Sequence, residues 1–342
     1  MKNTFLFAIV LLCLITFSFA QQRPHYTQYI LNNYVINPAV AGIENYVDVK
    51  ISHRHQWVGI QDAPVTTYLT IHGPAKKSDY DRETATSFHA SGENPRGKAY
   101  WQDYTRAEPH SGLGFTMIND RTGPLNRFAA YGTYAYHIGI SERTSLSAGI
   151  SAGVQNMRLN AGKLDFANQF QVDPAVANSN YLNRYSPDIN AGLWLYSADY
   201  FVGLAVQQVV PSKLRFSNNT VSVVQGRLVP HTFLSAGYRF MLSDDISFLP
   251  STLIKYVNPA PVSFDVNAKF QYQDFMWAGG SYRYNDGFAA MLGVNISNAL
   301  NVGYSYDYTT SNLNRVSNGT HEIVVGFLLG NRYGDWCPRN LW

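Results

Sequence analysis

Two histidine motifs could hold a metal ion by their residue types. His321-Glu322 begins like the helix motif of zinc proteases, but Val325 stands where that motif needs its second histidine. His53 and His55 would share one face of a strand, yet no third ligand lies close to them in the sequence. We therefore predict no metal site and interpret the histidine pair as lying at a membrane interface.

No other motif in the sequence predicts a catalytic or phosphate-binding site. Gly112 and Gly114 lack the third glycine and the following helix that phosphate binding requires. No serine, histidine and acidic residue stand together in the sequence context of a hydrolase. The sequence therefore predicts a protein that is not an enzyme and needs no cofactor. The positions of its ionisable residues therefore have to be interpreted from the secondary-structure elements in which they lie.

Those ionisable residues alternate with apolar residues in the C-terminal half of the chain. From Val262 to Tyr272, every second residue is apolar or aromatic and the residues between them are polar. A period of two indicates β-strands with one apolar and one polar face. If the polar faces line the inside of a barrel, the charged residues of this lumen are Arg239, Lys255, Asp265, Lys269, Arg283, Asp307 and Glu322.

These lumen charges have two interpretations. In the first, opposite charges on neighbouring strands fill the lumen and neutralise one another, because buried charges must be paired. In the second, they line a conduit or hold a plug or partner. Glycines on the same faces would make room inside the barrel. They are Gly112, Gly114, Gly149, Gly153, Gly192, Gly293 and Gly303.

The composition supports a membrane barrel. Charged residues make up 14% of the 342 residues, against roughly 25% in an average soluble domain. The chain nevertheless has 24 Tyr, 19 Phe and 6 Trp, and its mean hydropathy of -0.18 is too polar for a bundle of membrane helices. The aromatic content excludes a disordered chain, and a net charge of +3 gives nucleic-acid binding no support.

Fourteen segments show the strand pattern, and an even number suits a bacterial barrel. A soluble β-sandwich or β-propeller would alternate too, but its water-facing strands normally carry Lys and Glu. Here the polar face is mainly Ser, Gly and Asn. We predict a transmembrane antiparallel β-barrel with strands at 46–58, 64–73, 111–119, 126–140, 143–157, 187–197, 199–209, 231–243, 245–256, 262–272, 275–284, 287–297, 299–308 and 320–330.

The links between strands predict the orientation. Two-residue turns such as Ser141-Glu142 and Asp244-Asp245 follow even-numbered strands, whereas the longer links 158–186, 210–230 and 309–319 follow odd-numbered strands. Short turns lie on the periplasmic side of such barrels, so both termini should be periplasmic.

A polar insertion at 74–110 is the exception to the link pattern. It follows an even-numbered strand although it is long. It is either a periplasmic insertion or the sign of a miscounted strand before it.

The ends of the chain lie outside the strand pattern. Lys2, the apolar run from Phe5 to Phe17 and the small residues around Ala20 predict a cleaved signal peptide over 1–20. We assign 21–45 to an N-terminal periplasmic or plug segment, 46–330 to the barrel and 331–342 to a C-terminal tail. Without Cys13 of the signal peptide, Cys337 has no disulfide partner.

Aromatic residues near the predicted strand ends suggest a girdle at the two membrane surfaces. Stacking on a specific ligand is the alternative. These residues are Trp57, Tyr134, Tyr136, Trp194, Tyr196, Tyr282, Tyr284 and Tyr308.

Motifs along almost the whole mature chain resemble one family. Tyr26-Thr27-Gln28-Tyr29, the run from Asn37 to Gly42, and Gln56-Trp57-Val58-Gly59 resemble the start of the PorP/SprF family, the type IX secretion system membrane proteins of Bacteroidetes. The similarity continues through Tyr282-Arg283, Tyr304 to Asp307, Gly319 to Ile323 and the closing Cys337-Pro338-Arg339. The insertion at 74–110 departs from the usually short link.

The resemblance implies an outer-membrane barrel that works with the type IX machinery. It would help to export a cognate secreted protein or anchor it at the cell surface, often a gliding-motility adhesin with a type B C-terminal domain. Other implied partners are outer-membrane lipid and further secretion components. The alternative function is a substrate-specific transport channel that resembles fatty-acid channels of the same strand count. No nucleic-acid partner is expected.

Overall fold

The structure is a computed structural model that describes residues 26–76, 106, 108–160, 163, 183–210, 213–214, 226–273, 275–297 and 299–331. The predicted signal peptide, the C-terminal tail and most of the insertion at 74–110 lie outside these ranges. Among them, no helix is long and apolar enough to cross a membrane. The helices there are short 3-10 turns at Thr27–Ile30, Asn33–Val35, Pro38–Val40 and Asn312–Arg315.

Strands make up most of the rest of the described chain. In chain order they are β1 (Val47–His55), β2 (Val65–Pro74), β3 (His110–Thr122), β4 (Leu125–Gly139), β5 (Ser145–Leu159), β6 (Asn183–Tyr196), β7 (Tyr200–Gln207), β8 (Lys213–Leu214), β9 (Gly226–Arg227), β10 (His231–Tyr238), β11 (Phe240–Met241), β12 (Ile246–Val257), β13 (Ser263–Tyr272), β14 (Met276–Arg283), β15 (Gly287–Ser297), β16 (Leu300–Thr309) and β17 (Thr320–Leu329).

Fourteen of these strands form one closed antiparallel ring. Each pairs with its neighbours along the chain, β1 pairs with β17, and β10 pairs with both β7 and β12. The two-residue strand β11 continues β10 along β12, and β8 pairs with β9 outside the ring. The predicted β-barrel and its strand number are confirmed. A closed ring leaves no strand edge in hydrocarbon, as a membrane requires.

Strand alternation separates a lipid-facing surface from the interior. On β13, Val266 and Phe270 are exposed, whereas Asp265, Asn267 and Lys269 are buried. Apolar residues therefore face outward and polar residues face the lumen, as in other membrane barrels. The core of the molecule lies inside the ring.

The two ends of the barrel differ. One end, which we call the short-turn rim, holds the turns at 140–144, 197–199 and 242–245. The other, which we call the long-link rim, holds the links at 56–64 and 310–319. Arg106, at the end of the insertion, donates its backbone N–H to the carbonyl of Glu142 at 2.9 Å. The end of the insertion therefore lies at the short-turn rim.

Strands β3 to β6 are longer than predicted at the long-link rim. β3 runs to Thr122 where the prediction stopped at 119, and β6 begins at Asn183 where the prediction started at 187. The residues added to β3 and β6 are mostly polar on both faces, so the alternation that marks a strand in hydrocarbon ends before the hydrogen-bonded ladder does. The predicted strand 231–243 is interrupted at Arg239, whose backbone N–H donates to the carbonyl of Asp199 at 2.7 Å.

Candidate functional site

The lumen is occupied by residues 26–46, which we call the inner segment. The segment joins β1 at the short-turn rim, and at its other end Tyr26 packs edge-on against Tyr68 of β2 with ring centroids 5.2 Å apart. Its apolar side chains form the core together with inward residues of the ring. Those that are buried are Tyr29, Ile30, Tyr34, Val35, Ile36, Ala39, Val40, Ala41, Ile43 and Tyr46.

A local sequence feature shapes the middle of the inner segment. The side-chain oxygen of Asn37 accepts a hydrogen bond from the backbone N–H of Ala39 at 3.0 Å, and Pro38 occupies the first position of the 3-10 turn. An asparagine cap followed by proline favours a helical turn at this point. The amide nitrogen of Asn37 also donates to the carbonyl of Leu193 at 2.9 Å. One residue thus starts the turn and fixes it to β6.

A charged cluster near the long-link rim holds the start of the inner segment. The backbone N–H of Thr27 donates to Glu322 at 2.8 Å, and its hydroxyl donates to Asp307 at 2.6 Å. Arg54 donates to Glu322 at 3.0 Å and to Asp307 at 2.7 Å. The Nη1 of Arg54 also donates to the Thr27 hydroxyl at 2.8 Å. Hydrogen bonds and opposite charges therefore compensate these buried carboxylates.

Histidines near the short-turn rim hold the other end of the segment. Nε2 of His110 donates to the carbonyl of Gly42 at 3.1 Å, and Nε2 of His137 donates to the carbonyl of Ala41 at 2.9 Å. His72 accepts the backbone N–H of Gly42 at 3.3 Å. These contacts satisfy buried backbone groups that no strand pairs. The three rings therefore act as hydrogen-bonding groups, and the described residues hold no set of three ligands that would suit a metal ion.

Inward-facing glycines make room for the inner segment. A methyl group added at Gly112 would lie 1.9 Å from the carbonyl oxygen of Ala41, and one at Gly149 would lie 2.5 Å from the backbone nitrogen of Ala39. At Gly192 it would lie 2.0 Å from the side-chain oxygen of Asn37. The backbones of these strands and of the segment therefore approach more closely than a side chain would permit.

All seven charges predicted to line the lumen face inward. Arg283 lies 3.4 Å from Asp265 and 3.8 Å from Asp307, so the structure brings these residues into one network. Lys269 lies over the ring of Trp277, with 5.5 Å between its nitrogen and the ring centroid. The charged residues predicted for the lumen and buried there are Arg239, Lys255, Asp265, Lys269, Arg283 and Glu322, while Asp307 is largely buried.

Sequence reasoning missed the centre of this network. Arg54 contacts both Asp307 and Glu322, whereas the lumen charges predicted from the sequence all lie in the C-terminal half of the chain. Its signal was present, since Asp48, Lys50 and Arg54 share one parity on β1 while Ile51 and His53 have the other. Thr27 carries no comparable pattern because it lies outside the strands.

Two residues assigned to the aromatic girdle do not lie in it. Trp194 and Tyr196 are 1% and 0% exposed, whereas Tyr134 is 48% exposed. Trp194 stacks on Phe201 inside the barrel with ring centroids 4.9 Å apart. The girdle assignment of Trp194 and Tyr196 was wrong because both share the inward parity of Gly192. The outward residues of that set are Tyr134, Tyr136, Tyr282, Tyr284 and Tyr308, while Trp57 is half-buried in the link after β1.

The histidine pair of β1 lies at the outer surface of the barrel. Nδ1 of His53 is 2.9 Å from the hydroxyl of Thr67, and His55 pairs in register with His321 of β17. His321 in turn contacts the hydroxyl of Tyr304 at 2.7 Å. A polar and aromatic setting at the strand ends suits a membrane–water interface.

Links at the long-link rim are joined to one another. The backbone N–H of Val58 donates to the carbonyl of Gly319 at 2.9 Å, and that of Asn318 donates to the carbonyl of Val58 at 2.7 Å. Lys163 forms an ion pair with Asp62. This rim therefore presents an ordered surface from which Val316 projects with 64% exposure.

Comparison with solved structures finds other outer-membrane proteins. Omp33 of Acinetobacter baumannii matches with 8% identity over 84% of this chain and 100% of its own, at a TM-score of 0.45. The toluene transporter TbuX of Ralstonia pickettii matches with 10% identity over 87% of this chain and 93% of its own, at a TM-score of 0.47. No curated protein is similar enough in sequence to count as a match. The family model of the type IX secretion system membrane protein PorP/SprF matches residues 18–327, and the chain belongs to that family.

Proposed function

We propose that this outer-membrane barrel serves type IX secretion by binding a cognate secreted protein at the long-link rim and helping to export it or hold it at the cell surface. Membership of the PorP/SprF family supports the role in type IX secretion. The occupied lumen is the observation that favours binding over conduction. We infer binding instead of catalysis from the same arrangement.

The occupied lumen disfavours the alternative of a transport channel. Hydrogen bonds tie the inner segment to strands around the ring. Examples are Asn32 to Thr70 of β2 at 2.8 Å, Tyr34 to Thr133 of β4 at 2.7 Å and Asn267 of β13 to Tyr29 at 2.6 Å. A solute would have to break many of these buried contacts, each costly to leave unmade.

The long-link rim is the proposed contact surface. Of the three longer links that the sequence predicts at this rim, link 309–319 lies wholly within the described ranges, and it packs on residues 56–64. Exposed Val316 and Arg315 offer an apolar and a charged contact side by side. Most of links 158–186 and 210–230 lies outside the described residues. Secretion components that contact the barrel from the periplasm would meet the short-turn rim.

A complementation experiment tests this proposal. A strain that lacks the gene receives the wild-type chain, Arg315→Glu/Val316→Asp at the long-link rim, or Asp244→Lys in a turn at the short-turn rim. We expect the rim variant to lose one or a few large secreted proteins from the surface proteome, with the barrel still at normal levels in the outer membrane. Asp244→Lys is the matched control and should retain them. Normal surface proteins together with lost uptake of a small solute in the deletion strain would refute the proposal.

A further inference from the structure

The outward surface of the barrel strands is almost free of charge. Asp48, Lys50 and Arg54 of β1 face inward, and so do the charged residues of β12 to β17. Among the charged residues of the described barrel strands, Arg121 of β3 and Arg158 of β5 are the two at outward-facing positions. Each is exposed beside an inward neighbour, Asp120 and Met157 respectively.

The two arginines lie in one row across neighbouring strands. Arg121 pairs with Asn126 of β4, Asn126 pairs with Arg158, and Arg158 pairs with Asn183 of β6. Adjacent strands are separated by about 4.8 Å, so the two arginine Cα atoms are about 10 Å apart. Two flexible guanidinium side chains at this spacing can reach the same anionic group.

This row borders the apolar surface of the barrel. The next outward row toward the short-turn rim alternates Asn119 and Asn156 with Phe128 and Tyr185, and the row after it contains Met117 and Val154. The side chains of Phe128, Tyr185, Met117 and Val154 are exposed. The arginines therefore stand where the hydrocarbon ends and lipid headgroups begin, since a charge deeper in the bilayer would be costly.

Both guanidinium groups are available for a ligand. Within the described part of the chain, no acidic side chain forms an ion pair with Arg121 or Arg158, whereas Arg54 and Arg283 have such partners. Arginine presents a planar fork of donors that matches phosphate oxygens. The polar neighbours Asn126 and Asn183 add amide donors to the same row.

We propose that Arg121 and Arg158, with Asn126 and Asn183, form a binding site for the phosphate of an outer-leaflet glycolipid of the lipid A type. Long links face the exterior in bacterial barrels, which puts this row in the outer leaflet. The exposed apolar side chains of the two outward rows beneath it, among them Phe128 and Val154, contact the acyl chains of the same lipid. A free phosphate would use the arginines alone.

Lipid titration of the purified full-length barrel in detergent tests this site. The probes are phosphorylated lipid A, dephosphorylated lipid A with the same acyl chains, phosphatidylglycerol and inorganic phosphate. We compare the wild type with Arg121→Gln/Arg158→Gln, and use Arg143→Gln as the control for an exposed arginine at the short-turn rim. Native mass spectrometry measures the bound lipid, and heat-modifiable migration checks folding.

We expect phosphorylated lipid A to bind the wild type about tenfold more tightly than the dephosphorylated form, since charge-assisted hydrogen bonds to phosphate are lost in the latter. The double variant should lose this preference and Arg143→Gln should keep it. If the double variant does not fold, Arg121→Lys/Arg158→Lys replaces it and should weaken binding by a smaller factor. Equal binding by wild type and folded variant overturns the site. Equal binding of phosphatidylglycerol, or equal competition by inorganic phosphate, overturns the glycolipid assignment.

Discussion

Arg54 forms ion pairs with two carboxylates in the lumen. Its two terminal nitrogens contact carboxylates on β16 and β17, and one of them also contacts Thr27 of the inner segment. The pairs are almost completely shielded from water. Removing one partner of a buried ion pair costs more than the pair contributes, because the remaining charge is left uncompensated.

We expect Arg54→Met to lower the free energy of unfolding by about 3–5 kcal/mol, since Glu322 and Asp307 lose their shared cation. Urea unfolding in lipid vesicles measures this change. Arg315→Met, on an exposed link, should change it by less than about 0.5 kcal/mol. Adding Glu322→Gln to Arg54→Met should recover part of the loss, because it removes one uncompensated carboxylate. Equal stability of the two arginine variants would contradict the role of the charged cluster.

At the scale of elements, the inner segment and the strands around it depend on close backbone contact. The segment has little regular structure of its own, and its backbone groups are satisfied partly by histidines of β2, β3 and β4. Glycines on β3, β5 and β6 permit that approach. The position of the segment therefore depends both on the histidine side chains and on the lack of side chains at the glycines.

Gly112→Ala should displace the inner segment, because the added methyl would lie 1.9 Å from the carbonyl oxygen of Ala41. Overpacking of this kind destabilises by about 1–3 kcal/mol. We expect faster hydrogen exchange in residues 38–46 and a lower urea midpoint. Gly132→Ala is the matched control, since nothing lies within 4 Å of the added group on the same strand pair. Unchanged exchange in the Gly112 variant would show that the segment is not held by this contact.

Strands were predictable from the sequence, whereas for the inner segment the sequence left open whether residues 21–45 plug the barrel or lie in the periplasm. Alternation on β13 assigns Asp265 and Lys269 to the lumen without any knowledge of their partners. Thr27 and Gly42 have no such period, and their positions are set by contacts with residues far along the chain. For Trp194, residue type and strand alternation disagreed: an aromatic residue near a strand end suggested the girdle, whereas alternation placed it in the lumen, where it is buried.

The whole molecule has two rims with different architecture. The short-turn rim carries tight turns and the end of β17, whereas the long-link rim carries the joined links and the end of the inner segment at Tyr26. The first and last described residues therefore lie at opposite rims. The prediction that both termini are periplasmic concerns residues 1–25 and 332–342, outside the described ranges.

Single cysteines test the orientation in intact cells. In a Cys337→Ser background, Arg315→Cys marks the long-link rim and Glu142→Cys marks the short-turn rim. We expect a membrane-impermeant maleimide to label only the first, because long links face the exterior. Labelling of both after the cells are lysed is the control for reactivity. Labelling of position 142 alone in intact cells would reverse the orientation and place the arginine row in the inner leaflet.

The three 3-10 turns of the inner segment also store chain length. Its 21 residues would span about 70 Å if fully extended, whereas the hydrocarbon core is about 30 Å thick. A pull on Tyr26 from the long-link rim would first break the hydrogen bonds of Thr27 and then unravel the turns, while β1 held the other end. Tyr26 would then reach about 40 Å beyond the membrane with every strand of the ring still paired. The hydrogen bonds of Thr27 to the charged cluster would therefore be the first contacts to resist such a pull.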